Sequence, residues 1–224
     1  MEFKKDLPEL APLIHQAALN PHLSIEALNQ FCDASRNYNF SGFCTSLSHL
    51  PAARERLGTP NKTKLIAVIA FPFGFIPSIH KQAEAEWAVE QGAEELEVVP
   101  NFLALTQRKA EVFAEELANI CETGIPVRVI LDSEKLALEE LSIAVEAAID
   151  AGVFSLQTGN GFGRSVSRSD IHQLSNFARG RCEIKAAGGI TTISQVFELV
   201  EAGANRIGTT IGPQLIQSLF EQEN

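Results

Sequence analysis

Glu183-Ile184-Lys185-Ala186-Ala187-Gly188-Gly189-Ile190, followed one helix later by Asn205-Arg206-Ile207-Gly208-Thr209-Thr210, is the part of this chain whose reading decides the fold. Each piece is a short β-forming run that ends in glycine and hydroxyl residues. Such runs leading into helices are the repeating unit of a parallel sheet, and a (β/α) barrel builds an anion pocket from the loops after its last two strands. Between the two pieces, Thr192 and Gln195 have the spacing of a capping box, and Gly203 stands where the intervening helix should stop. Lys185 sits inside this pattern, either as a working amine or as a buried charge.

The same alternation runs outward along the chain. Strands are expected near Phe40 to Thr45, Leu65 to Phe71, Glu95 to Val99, Val127 to Asp132, Val153 to Thr158, Glu183 to Ala187 and Asn205 to Gly208. An eighth, Ala11 to Gln16, precedes a helix from Ser24 to Tyr38, and eight strands would close a barrel without an exposed edge. Helical periodicity covers Ile79 to Gln91, Lys109 to Thr123, Leu136 to Ala151 and Ile193 to Ala202, with Gly92 and Gly152 as further stops. The expected fold is α/β, a (β/α)8 TIM barrel, with residues 1–224 as a single domain.

Composition narrows the function. Hydrophobic residues at 45% and charged residues at 21% suit a folded core, and disorder is not expected. The formal charge of -10, with no local Lys/Arg cluster, argues against nucleic acid or anionic membrane as partners. Cys32, Cys44, Cys121 and Cys182 form no CxxC pair and read as free thiols of a reducing cytosol. The segment Met1 to Asp6 has no apolar signal run, so a cytoplasmic location is expected. His15, His22, His49, His80 and His172 have no metal-ligand spacing, and neither metal nor cofactor is expected.

Side-chain alternation on the strands places four polar residues where a barrel should be apolar. In Val127 to Asp132, Val127, Val129 and Leu131 would face helices while Arg128, Ile130 and Asp132 face the lumen. The same parity turns Glu97, Gln157 and Lys185 inward. Burying such groups costs desolvation, and two explanations stand side by side: an active site at the carboxyl ends of the strands, or a self-satisfied ion network in which Glu97 pairs with Lys185 or Arg128. Of eight lysines only Lys185 is expected in a strand. A lysine shielded from water and close to another cation, here Arg128, sheds its proton more readily and can attack a carbonyl. Gly188, Gly189 and Gly208 would let main-chain N–H groups approach a phosphate, with Thr209 and Thr210 adding hydroxyls, although two empty tight turns would look the same.

Taken in order, Ser41 to Cys44, Ala70 to Gly74, Gly92 to Val99, Val127 to Asp132, Gln157 to Phe162, Ile184 to Ile190 and Arg206 to Thr209 resemble the deoxyribose-phosphate aldolase family over nearly the whole chain. The resemblance implies a class I aldolase on a (β/α)8 barrel that reversibly cleaves 2-deoxyribose 5-phosphate into glyceraldehyde 3-phosphate and acetaldehyde. It makes Lys185 the assisting lysine, Glu97 the position of the acid/base aspartate, Cys44 a residue of the pocket and Gly161 part of the phosphate loops. It also implies departures. The family's Schiff-base lysine, in a Lys-Thr-Ser-Thr-Gly pattern, is replaced here by Gln157-Thr158-Gly159-Asn160-Gly161, and an amide nitrogen is no nucleophile. The family's Asp-His-Thr, followed by a lysine and proline, reads His15-Gln16-Ala17 and then Asn20-Pro21. An expected arginine is Thr191 and an expected serine is Ile211.

Three functions follow as alternatives: a carbon–carbon lyase whose imine has moved to Lys185, with Glu97 moving protons; a catalytically silent phosphosugar-binding or regulatory protein; or an enolising enzyme that uses Glu97 and Lys185 without an imine. The expected ligand is a small phosphorylated sugar or aldehyde. Barrels of this kind often pair through their outer helices, so a homodimer is an open expectation with no apolar helix face clear enough to carry it.

Overall fold

In the computed structural model, which describes residues 10–60 and 62–221, eight parallel strands close into a barrel. They are β1 (Ile14–Ala18), β2 (Gly42–Thr45), β3 (Lys64–Ile69), β4 (Glu95–Val98), β5 (Val127–Ile130), β6 (Ser155–Gln157), β7 (Glu183–Ala187) and β8 (Arg206–Thr209). Each pairs with its neighbour in sequence, and β8 returns to β1 with Gln16 opposite Thr209. The helices outside are α1 (Ile25–Asn37), α2 (Leu50–Leu57), α3 (Ser78–Glu90), α4 (Phe102–Thr106), α5 (Ala110–Cys121), α6 (Leu138–Asp150), α7 (Arg168–Ala178), α8 (Ile193–Glu201) and α9 (Gly212–Glu221). The molecule is a (β/α)8 TIM barrel.

Alternation along the strands divides the interior into two layers. Val127 and Val129 of β5 join Phe113, Leu117, Leu141 and Val145 in the shell between sheet and helices. Cys44, Ile66 and Val68 form a separate, smaller apolar group, with Leu19 and Phe71 packed against it. Helix ends follow the capping signals. Thr192 Oγ1 accepts from Gln195 N at 3.3 Å while Gln195 Oε1 accepts from Thr192 N at 3.1 Å, which satisfies two donors at the start of α8. After α3, Gly92 adopts φ +86°, and its N–H reaches Val89 O, closing the helix as only a residue tolerant of the left-handed region can.

Several expectations change. The first strand is Ile14–Ala18, two to three residues later than Ala11 to Gln16, because Pro12 has no N–H for a ladder and residues 11–13 close a 3-10 turn instead. Asp132 does not continue the inward row of β5: at φ +49° the backbone turns, and its carboxylate pairs with Lys135 at 2.6 Å. Lys64 begins β3, so Lys185 is not alone among the lysines in a strand; Lys64 points to the surface and meets Glu94 at 2.8 Å. Lys81 lies on α3 but is fully buried, paired with Glu116 of α5 at 2.8 Å. The reading of Met1 to Asp6 lies outside the described residues. Among the described residues, no helix is long and apolar enough to cross a membrane.

Candidate active site

The carboxyl ends of the strands open on a cavity of about 310 Å³. Cys44 of β2, Glu97 of β4, Gln157 of β6, Lys185 of β7 and Gly208 of β8 all line it. So do Gly161, Gly188, Gly189, Thr209 and Thr210 from the loops. Arg128 lies deeper, away from the cavity wall. Its Nη1 donates to Glu97 Oε1 at 2.9 Å, Nε to Ser155 Oγ at 2.9 Å and Nη2 to Glu95 Oε2 at 3.3 Å, with the guanidinium 4.9 Å above the Phe154 ring.

Glu97 is the hub. Lys185 Nζ donates to the same Oε1 that Arg128 holds, and the Cys44 thiol donates to Oε2 at 3.3 Å. His15 Nδ1 stands 3.8 Å from Oε1, too far for a hydrogen bond. Burial pushes the Glu97 carboxyl up, but Lys185, the His15 ring and Arg128 outweigh it and hold the group well below the usual carboxylate range. Glu97 is therefore an anion at neutral pH. Burial drives His15 down to about 3, so it is neutral there. Burial and the Glu97 charge push the Cys44 thiol well above its ordinary range, which leaves it a neutral donor and no nucleophile. Lys185 and Arg128 against Glu97 and Glu95 make the lumen charge-balanced.

Both readings of the inward residues meet here: they form an ion network, and that network borders an open cavity. Lys185 passes directly over Gly208, where a Cβ would come within 2.7 Å of Lys185 Cε, so a side chain on β8 at that position would displace the lysine from its present path. A Cβ at Gly189, φ +63°, would meet Ser165 Oγ at 2.2 Å. Gly189 is thus fixed by packing, and Gly188 by its backbone at φ +117°. Thr209 Oγ1 donates to Ile190 O at 3.2 Å, which commits the hydrogen expected to serve a phosphate. Among the described residues, no group of three His, Cys, Asp or Glu could hold a metal ion.

Sequence reasoning missed the mouth of the cavity. Phe71 and Phe162 line it, with ring centroids 6.0 Å apart, and Phe73 lies 5.8 Å from Phe162. Asn160 ties the two loops together: Nδ2 donates to Pro72 O at 2.9 Å and Oδ1 accepts from Phe162 N at 2.9 Å. The run Phe71-Pro72-Phe73-Gly74-Phe75 was the available signal: the expected strand Leu65 to Phe71 ends at Ile69, Phe71 packs on the apolar group of the lumen, and Phe73 and Phe75 stay exposed.

Comparison with known proteins agrees with this geometry. No family model matches the chain. A deoxyribose-phosphate aldolase of Trichormus variabilis is 39% identical over 209 residues, 93% of this chain and 92% of the relative. Among solved structures, one described as QR15, an aldolase, superposes with a TM-score of 0.91 at 31% identity, covering 97% of this chain and 98% of that one. The deoxyribose phosphate aldolase of Aeropyrum pernix, described as a tetramer, gives 0.86 at 26% identity, covering 95% and 92%.

Proposed function

The chain belongs to the deoxyribose-phosphate aldolase family, and from that premise we propose that it is a carbon–carbon lyase whose imine forms on Lys185. The observation that carries this reading is the placement of Lys185 at the floor of the cavity, against the ionised Glu97 and over Gly208. With glutamine at 157, Lys185 is the amine among the residues lining that cavity.

The chemistry suits a persistent ion pair. An ammonium has no lone pair, so Nζ first passes one proton to Glu97; the freed amine adds to the aldehyde, and that proton and one of the two left on nitrogen leave with the carbonyl oxygen as water, which gives an iminium with one N–H. Positive charge beside Glu97 is present before and after. The carboxylate favours the ammonium and the iminium, and between them it takes a proton from the substrate carbon through a water, leaving a neutral enamine beside a carboxylic acid that later returns the proton. Arg128 keeps Glu97 ionised from below, and Cys44 orients its second oxygen. A phosphate, where the substrate carries one, would rest on main-chain N–H groups near Gly161, Gly188, Gly189 and Gly208 and on Thr210. Thr191 and Ile211 offer no cation, so that grip is weak.

Borohydride reduction in the presence of acetaldehyde or 2-deoxyribose 5-phosphate, followed by mass mapping, tests the reading. A reduced adduct on Lys185 that disappears in Lys185→Met is the expected result. A second reading, a phosphosugar-binding or regulatory protein without turnover, is favoured by Gln157 and by the Lys185–Glu97 contact. Thermal stabilisation by the phosphosugar with no trapped adduct would establish it. Hydrogen exchange at a substrate carbon without an adduct would select enolisation.

A further inference from the structure

Gln157 ends β6, is 4% exposed, lines the cavity and stands opposite Lys185 in the ladder with β7. Its Nε2 donates to Gly159 O at 2.8 Å, which fixes the sense of the amide and leaves Oε1 buried without a hydrogen-bond partner. A buried acceptor with no donor is costly, and such groups are normally completed by protein or by ligand. The neighbouring protein donors bond elsewhere: Lys185 and Cys44 to Glu97, Arg128 to Glu97, Ser155 and Glu95, and the Thr158 hydroxyl to Ala187 O at 2.9 Å. The charged side chains on the cavity wall are Glu97 and Lys185, already paired with each other. What the floor lacks is a neutral donor placed beside Lys185.

We propose that Gln157 reads a hydroxyl on the carbon next to the carbonyl that Lys185 takes up, so that the component bound to Lys185 is an α-hydroxy aldehyde or ketone, of the glycolaldehyde or hydroxyacetone class. This rests on the imine reading above and deepens it. Neighbouring strands lie about 4.8 Å apart, and a hydroxyl one carbon from the imine falls within that span. The covalent steps balance. Lys185 Nζ forms the C=N bond and water leaves with the carbonyl oxygen. The C–H of the hydroxyl-bearing carbon then breaks, its proton passing through a water to Glu97 and its electron pair forming the enamine double bond. That carbon bonds to the acceptor aldehyde, whose oxygen takes the proton held by Glu97 as the enamine returns to an iminium, and water released at the start is taken up again when the product is freed. A bare alkyl aldehyde undergoes the same steps but leaves Oε1 unpaired.

The test is concentration-dependent borohydride trapping of Lys185 in the full chain with glycolaldehyde, acetaldehyde, hydroxyacetone and acetone, for wild type and Gln157→Met, which keeps length and removes the acceptor. The selectivity for the hydroxylated over the plain carbonyl, divided by the same ratio in Q157M, cancels the intrinsic reactivities. We expect this quotient to be about tenfold, the worth of one hydrogen bond to a buried acceptor. If Q157M does not melt like wild type, Gln157→Leu takes its place. Adducts on Lys185 with a quotient near one overturn the role of Gln157 and leave the imine reading standing. No adduct on Lys185 with any of the four carbonyls overturns both.

Discussion

Glu97 answers to two cations from inside a closed barrel, and removing its charge exposes what the lumen depends on. Glu97→Gln would leave Lys185 and Arg128 with only Glu95 to offset them. An uncompensated buried charge costs about 3–5 kcal/mol, which urea denaturation at pH 7 should register as a lower midpoint with an unchanged slope. Combining it with Lys185→Met should return part of that loss. His15 adds a pH dependence of definite sign. Its folded value, about 3, lies below the ordinary 6.5, so as pH falls through that window the unfolded chain takes up a proton that the folded chain refuses. Stability should fall by roughly 1.4 kcal/mol for each pH unit across the window. Glu97, depressed from 4.5, acts in the same direction only below its ordinary value, where the stability it contributes is lost. His15→Asn should therefore flatten the profile between pH 6.5 and 4.5 and leave the steeper acid limb. Loss of stability in that upper range with the substitution in place would refute the assignment. Glu97, Arg128, Gln157 and Lys185 were legible because strand parity alone turns them inward. His15 was not, since its neighbours come from distant strands. Lys81 was hidden for a similar reason: its partner Glu116 is on another helix, and periodicity says nothing about which helix faces which.

The ladder between β1 and β8 closes the barrel, and one side chain reinforces that seam. Gln16 of β1 donates through Nε2 to Thr210 O at 2.8 Å, and its Oε1 accepts from Gly212 N at 3.0 Å at the start of α9. It thereby joins the first strand to the loop after the last, next to the cavity. In sequence it looked only like a departure in the first strand. Its partners are 194 and 196 residues away, a separation no local pattern encodes. Gln16→Leu keeps the volume and leaves two backbone groups unpaired, at about 1–3 kcal/mol. We expect amide exchange at Gly212 to quicken while β4 and β5 stay protected, and an unchanged rate at Gly212 would show that the tie is replaceable. The capping of α8 by Thr192 and Gln195, by contrast, was readable at once because both partners lie within one turn. The first strand was displaced in the sequence reading because an apolar run was weighed without the missing N–H of Pro12.

At the scale of the molecule, a net charge of -10 surrounds a cavity whose wall carries one paired anion and one paired cation. An anionic ligand approaching it meets a repulsive field and finds, among the described residues, no unpaired cation on the wall, only main-chain, hydroxyl and side-chain amide donors. Salt shortens the reach of that field, to about 10 Å at 0.1 M ionic strength, but scarcely alters dipolar contacts at hydrogen-bond distance. The sign of the salt effect thus distinguishes two ways of holding a phosphate. If glyceraldehyde 3-phosphate rests on backbone donors, its dissociation constant, followed by calorimetry from 20 to 200 mM ionic strength in a salt of weakly competing anions, should fall severalfold. The unphosphorylated glyceraldehyde should show little change. If an arginine or lysine swings in from the rim to grip the phosphate, affinity should weaken with salt instead, as it does wherever ion pairing carries binding. That outcome would place a cation at the mouth of the cavity and would return the pocket to a phosphate-dominated mode of recognition.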